Sequence, residues 1–311
     1  MINQKDNSKT SQKKSNAIYV LPNLITTAAM LCGFLAILTA LDAYYGSHSG
    51  DTTQTFTQAA ILVFVAMIFD GLDGRVARMT NSSSAFGEQY DSLSDLISFG
   101  IAPALIIYLW ALKEGHFVNL IGGISLGGIS WFVAYLYLAC AALRLARFNV
   151  QIGSVDKRFF VGMPSPTAAA IVVGFVWFGE SLQLSGPLKD YGALFLTLYS
   201  GLMMVTNIKF FSFKDIHFQN PVPFFVWVLV VITLSILLVC IVRFPGEAIF
   251  LVLFGYGLSG PIYAILRHRK RDQLKSEKSQ RQAHKEGING TDAEESTDNV
   301  ETDTVETDNK N

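Results

Sequence analysis

Charge is what this chain is short of. Only 16% of its 311 residues are Asp, Glu, Lys or Arg, while 50% are hydrophobic; a soluble domain carries about 25% charged residues. The apolar residues also fall in long blocks rather than in helical stripes, which excludes a water-soluble helical core. Cysteine is equally scarce. Cys32, Cys140 and Cys240 each lie inside an apolar run with no paired spacing. That argues against disulfides or a thiolate metal site, and for buried thiols with no chemical role. The first residues, such as Gln4, Lys5, Asp6 and Lys9, are polar, so no cleaved signal peptide is expected. No nucleic-acid motif and no internal repeat is present.

What fills the chain is apolar segments. About eight, each near the ~20 residues that cross a bilayer, run roughly over 20–44, 58–78, 93–112, 119–143, 165–181, 190–210, 222–243 and 247–267. The expected fold is all-α, a polytopic membrane helix bundle. The fourth segment is Gly-rich (Gly122, Gly123, Gly127, Gly128), and small residues let helices approach closely in lipid. Lys and Arg fall into two sets of segments. One set holds Lys5, Lys9, Lys13 and Lys14, then Arg75 and Arg78, then Arg144, Arg147, Lys157 and Arg158, then Lys209 and Lys214, then Arg267, Arg269, Lys270 and Arg271; the alternate loops hold only Lys113, Lys189 and Arg243. Eight spans put the whole rich set on one side, which should be cytoplasmic, with both termini there. Three regions are expected: an N-terminal cytoplasmic tail (1–17), a membrane domain (18–270) and a C-terminal tail (271–311). That last tail turns from basic to acidic and is almost without apolar residues, so it should be disordered.

Against this background four aspartates stand out. Asp70, Asp73, Asp91 and Asp95 lie between apolar runs, where an ionised carboxylate is costly and marks a functional site. Four cannot share a small site unless cations compensate their charge. On a helix, Asp70, Asp73, Gly74 and Ala77 fall in one sector of about 100°. On the next, Gly87, Asp91, Ser94, Asp95 and Ser98 share a face. A short polar connection (Asn81 to Ser84) would make the two helices antiparallel neighbours with converging acidic faces. With no His or Cys nearby, an oxygen-only ligand set suits Mg²⁺ or Mn²⁺. Arginines beside it suit phosphate, and a pair of ions ~3.5–4 Å apart could clamp the attacking and leaving oxygens of a displacement at phosphorus.

The spacing Asp-x2-Asp-Gly-x2-Ala-Arg-x8-Gly-x3-Asp-x3-Asp, read here from Asp70 to Asp95, resembles without a gap the signature of the CDP-alcohol phosphatidyltransferases. The resemblance implies a six-helix membrane core, a homodimer, and displacement of CMP from a CDP-linked lipid by an alcohol. It implies that Asp70, Asp73 and Asp91 hold two divalent cations. Asp95, also at the metal centre, would take the proton of the incoming hydroxyl. Gly74, Ala77, Arg78 and Gly87 would line the CDP-lipid pocket, with Asn23 and Thr26 beside them. Three further segments resemble the phosphatidylserine synthase branch: Tyr19 to Thr26, Arg144-Leu-Ala-Arg147-Phe148-Asn149, and Phe160 to Pro166. Met163 stands where that branch more often has Leu, and Gln89-Tyr90 where Glu-Leu or Gln-Leu is commoner. CDP-diacylglycerol and L-serine are then the expected substrates, in the inner membrane, with the active site facing the cytoplasm.

Around this core the readings divide. Arg144 and Arg147 either bind substrate phosphate or the serine carboxylate, or anchor a helix end; Asn149 is a weaker candidate of the same kind. Ser165, between Pro164 and Pro166, either shapes the acceptor pocket or belongs to a rigid turn. Asn23 and Thr26 could equally cap the first span. Trp110, Trp131, Trp177 and Trp227 read as interface or lipid-packing residues. The rival functions are the same reaction with choline, inositol phosphate or glycerol phosphate, and a cation transporter whose aspartates bind the transported ion.

Overall fold

A computed structural model of the chain describes residues 4–47, 55–82, 84–114, 127–151, 159–211, 224–266 and 269. The C-terminal tail, Lys157, Arg158, Lys214, Gly122 and Gly123 lie outside them. Two compact units divide the chain, Met1–Gly260 and Pro261–Asn311. The described residues of the second, 261–266 and 269, are helical.

Eight helices hold most of the described residues: α1 (Gln4–Ser47), α2 (Thr55–Met79), α3 (Ala85–Leu112), α4 (Gly127–Gln151), α5 (Ser165–Ser181), α6 (Pro187–Val205), α7 (Phe224–Arg243) and α8 (Pro245–Leu266). Five carry stretches long and apolar enough to cross a membrane: Val20–Gly46 of α1, all of α3, Ser130–Val150 of α4, α7 and α8. The all-α expectation holds, with one small addition. Strands β1 (Phe159–Val161) and β2 (Lys209–Phe211) pair antiparallel, with Phe160 opposite Phe210. The apolar segment read as 190–210 is therefore helical only as far as Val205 and ends in a strand.

Small side chains bring α1 and α2 together. Ala36, Ala40 and Ala43 on one, and Ala59, Val63 and Ala66 on the other, are all fully buried. Their spacing puts each set on one helical stripe, and in lipid such stripes allow close van der Waals packing. Between α1 and α3 the approach is closer still: a Cβ on Gly33 would lie 2.7 Å from Ser98 Cα, so only glycine fits. The described close contacts thus lie away from the Gly-rich start of the fourth segment.

Within α3 the backbone widens to π-helical turns at Leu96–Ile101 and Tyr108–Leu112. Pro103 accounts for the first. It has no N–H to give the carbonyl one turn back, and its ring crowds that carbonyl. The oxygen concerned belongs to Phe99, and the buried Tyr137 hydroxyl of α4 donates to it at 3.0 Å. The first π turn follows directly on Asp95.

At the end of the bundle away from the aspartates, Trp110 Nε1 donates to Glu180, and Lys189 Nζ sits 4.5 Å from the Trp110 ring centroid. Trp110 is therefore a buried tie between α3 and α5 rather than an interface residue. Trp131 and Trp227 are exposed as expected. The α7 helix has no buried residue, and its mean hydropathy is 3.2; a strongly apolar helix without a buried face suits lipid on every side. All three cysteines are free.

Candidate active site

The aspartates gather where the C-terminal end of α2 meets the N-terminal end of α3. Residues 80–84 join the two helices. Asn81, at φ 51°, ends the helical run, and Ser84 caps α3 by accepting from Gly87 N at 3.0 Å, a hydroxyl satisfying one of the orphan amides of a helix start. This short connection makes the two helices neighbours, and their acidic faces converge as the helical angles require. Asp70, Asp91 and Asp95 each offer an oxygen within 4.8 Å of the others. The carboxyls of Asp70 and Asp95 thus face each other within this group.

Asp73 is placed differently. It is 5% exposed, and its Oδ2 accepts from Thr26 Oγ1 of α1 at 2.6 Å. It borders a cavity of about 210 Å³. From α1, Pro22, Asn23 and Thr26 line this cavity; from α2, Asp73, Gly74, Ala77 and Arg78; from the connection, Ser82 and Ser84; from α3, Gly87, Glu88 and Asp91. Every residue expected from the resemblance to line a nucleotide-lipid pocket is here. A Cβ on Gly74 would meet only Arg78 Nη1 at 3.6 Å, whereas one on Gly87 would stand 3.2 Å from Ser84 Oγ and 3.4 Å from Asn23 Oδ1. Gly87 keeps the cavity open between α1 and α3. Asp91 alone belongs to both the trio and the cavity wall.

Beyond the trio lies Arg144 of α4, which interacts electrostatically with Asp95 and Asp70 and donates through Nη1 to Ser165. Ser165 is fully buried. Its position follows from the preceding turn: Gly162 takes φ 81°, a conformation glycine adopts without strain, and Gly162 N and Met163 N bond to Ile208 O at 2.8 Å and Met203 O at 2.9 Å. The Pro-flanked segment is thus stitched to the end of α6 and delivers Ser165 to Arg144. The other two candidates are used elsewhere. Arg147 donates to Asn207 Oδ1 at 2.6 Å and to Val205 O at 3.4 Å, covering the end of α6. Asn149 exchanges hydrogen bonds of 3.0 and 3.1 Å with Ser92 Oγ, tying α4 to α3. Asn23 and Thr26 are not helix caps, because α1 begins at Gln4 and runs through both.

The donor set fits a divalent cation. Asp91 Oδ1 is buried with no hydrogen-bond partner among the described residues, an arrangement that costs free energy unless something else satisfies the oxygen. Three carboxylates within ligand reach of one another, with oxygen donors only, match a hard ion. The sequence reading missed Pro22, Ser82, Ser84 and Glu88 as cavity residues. The serines carried a signal, since a serine before a helix is a capping residue, but their facing the cavity follows only from how the connection folds back.

Comparison with known proteins agrees with this geometry. The family model for CDP-alcohol phosphatidyltransferase matches residues 19–206. A Helicobacter pylori protein named CDP-diacylglycerol–serine O-phosphatidyltransferase is 36% identical over 225 residues, 72% of this chain and 84% of that protein. An archaetidylserine synthase of Methanothermobacter thermautotrophicus is 32% identical over 202 residues, 64% and 73% of the two chains. A CDP-diacylglycerol–serine O-phosphatidyltransferase of Mycobacterium tuberculosis is 29% identical over 248 residues, 77% and 76%. The matched region carries the aspartates, the cavity walls and Arg144 alike, and the chain belongs to the CDP-alcohol phosphatidyltransferase family.

Proposed function

We propose that the protein is an integral membrane enzyme that transfers the phosphatidyl group of CDP-diacylglycerol to the hydroxyl of L-serine, releasing CMP. One observation supports this reading above the others: the aspartate trio adjoins both a cavity with the family's small-residue walls and Arg144, which is bonded to the buried Ser165. A nucleotide on one side and an acceptor on the other would meet at the carboxylates. The names of the relatives supply the acceptor.

In this reading Asp70, Asp73, Asp91 and Asp95 hold two divalent cations, Mg²⁺ or Mn²⁺. Bound there, the cations would supply positive charge against the diphosphate and the departing CMP. Gly74, Ala77, Gly87, Asn23 and Thr26 shape the space for the CDP-lipid, and Arg78 binds its phosphate oxygens. Asp95 takes the proton of the serine hydroxyl, a poor nucleophile until a base is in reach. The serine oxygen then forms its bond to the β-phosphorus. The bond from that phosphorus to the bridging oxygen breaks, and its electron pair leaves with CMP. Arg144, steadied by Ser165, holds the serine carboxylate, while Arg147 and Asn149, committed to other partners, do so less directly. The site faces the cytoplasm, as do both termini, with about eight spans around a six-helix core of a homodimer in the inner membrane. Residues 1–17 and 271–311 are cytoplasmic tails flanking the membrane domain, 18–270.

Purified protein given CDP-diacylglycerol and Mn²⁺ should release CMP with L-serine and not with choline, inositol phosphate or glycerol phosphate. Incorporation of another of these alcohols in place of serine would replace the acceptor. No CMP release with any alcohol would revive the transporter reading. Within the same assay, Arg144→Ala should raise the KM for serine about tenfold or more, the loss of a charged hydrogen bond. Arg147→Ala should lower thermal stability and raise that KM less than Arg144→Ala does.

A further inference from the structure

We propose that Thr26 is a positioning residue for Asp73: its hydroxyl fixes the carboxylate so that Oδ1 is the oxygen offered to a divalent cation. The inference rests on the reading of the aspartates as a cation site, and on nothing about the acceptor.

The geometry is specific. Thr26 is 4% exposed and Asp73 5%, so little water reaches the pair. Thr26 Oγ1 lies 2.6 Å from Asp73 Oδ2 and 3.1 Å from the carbonyl of Pro22, one turn back on its own helix. A hydroxyl has one proton to give. A threonine within a helix ordinarily gives it to the carbonyl one turn back, but the charged acceptor makes the shorter and stronger bond. Thr26 therefore gives its proton chiefly across to α2, while its oxygen stays within reach of the Pro22 carbonyl. That commitment leaves no proton for a nucleotide phosphate, although Thr26 borders the cavity.

Asp73 is the aspartate that has such a partner. The other three lie within 4.8 Å of one another, and Asp73 stands outside that group. Free rotation of its carboxyl would leave the cation ligand set incomplete for part of the time. Thr26 also reaches the third helix: its backbone carbonyl accepts from Ser94 Oγ at 3.1 Å, and Ser94 precedes Asp95 and follows Asp91 by three residues. One residue of α1 thus ties the Asp73 carboxylate to the α3 turn that carries two more ligands. The partners that orient metal ligands typically affect affinity by about 10–100-fold.

The test is Mn²⁺ titration of substrate-free protein in detergent, followed by electron paramagnetic resonance, with thermal unfolding recorded for each variant. Thr26→Val, of the same shape without the hydroxyl, should weaken Mn²⁺ binding about tenfold or more, while Thr26→Ser stays within about twofold of the parent. In an Asp73→Asn background, Thr26→Val should have no further effect. If Thr26→Val does not fold, Thr26→Ala is read the same way. Parent-like Mn²⁺ affinity in the valine or alanine variant overturns the proposal. So does an unchanged affinity with weakened equilibrium binding of the CDP-lipid, which would make Thr26 a direct nucleotide contact. Equal losses in the serine and valine variants would reduce Thr26 to a packing role. None of these measurements involves serine, so a wrong acceptor would leave them untouched.

Discussion

Asp95→Asn should bind CDP-diacylglycerol normally and turn it over about 10²–10⁴-fold more slowly, the range ascribed to a positioned general base. The substitution keeps the shape of the side chain and removes its capacity to take a proton. Two features of the site separate the two effects. Asp95 does not border the nucleotide cavity, whose acidic lining comes from Asp73, Asp91 and Glu88, so the binding surface is unaltered. Its carboxyl instead meets that of Asp70 and faces Arg144, on the side assigned to the acceptor. Single-turnover release of CMP measures the chemical step, and equilibrium binding of the CDP-lipid measures the cavity. Near-normal turnover in the variant would assign the proton to another group. A loss of CDP-lipid binding equal to the loss of rate would make Asp95 chiefly a cation ligand.

Gly33→Ala should destabilise the protein by about 1–3 kcal/mol, the cost of overpacking a tight contact, and should depress activity from a distance. The added Cβ would lie 2.5 Å from Ser98 Oγ, 2.7 Å from Ser98 Cα and 2.9 Å from Ser98 Cβ. A side-chain atom can swing away and a backbone atom cannot, so α1 and α3 must separate. Ser98 hydrogen-bonds to Ala29 O at 3.2 Å and Ser94 to Thr26 O at 3.1 Å. Both bonds span the same seam, and it leads directly to Asp91 and Asp95. Thermal unfolding in detergent, with CMP release alongside, measures both consequences. Adding Ser98→Gly removes two of the three clashing atoms and should recover part of the loss. A Gly33→Ala protein as stable and active as the parent would show that the helices do not approach this closely.

The readings that succeeded share a cause. The aspartate faces were legible because helical periodicity alone fixes which residues of one helix point the same way, and a five-residue connection forces two helices to be neighbours. The long apolar blocks gave the helices for the same local reason. The misplacements also share one. The alternative reading of Asn23 and Thr26 as caps of the first span fails because α1 begins at Gln4 and continues through Pro22. Trp110 read as an interface residue because tryptophan at the end of an apolar run often is. Its partner Glu180 lies 70 residues away, on a helix whose direction no local pattern reveals. Arg144 and Arg147, three residues apart, looked interchangeable; one is turned to Ser165 and the aspartates, the other to the end of α6.

By itself the sequence determined that the chain is a bundle of apolar helices, that four carboxylates at fixed spacing lie on two adjoining faces, and which family chemistry that spacing carries. These are consequences of local geometry and of a motif that is contiguous in the chain. Only the tertiary structure decided how the four divide. Three of them meet, while Asp73 is drawn aside by a hydroxyl from α1, and Asp91 is shared between the cavity and the trio. Such divisions depend on how closely α1, α2 and α3 approach, and that distance is set by alanine stripes and by Gly33 on helices whose pairing is not written in either sequence alone.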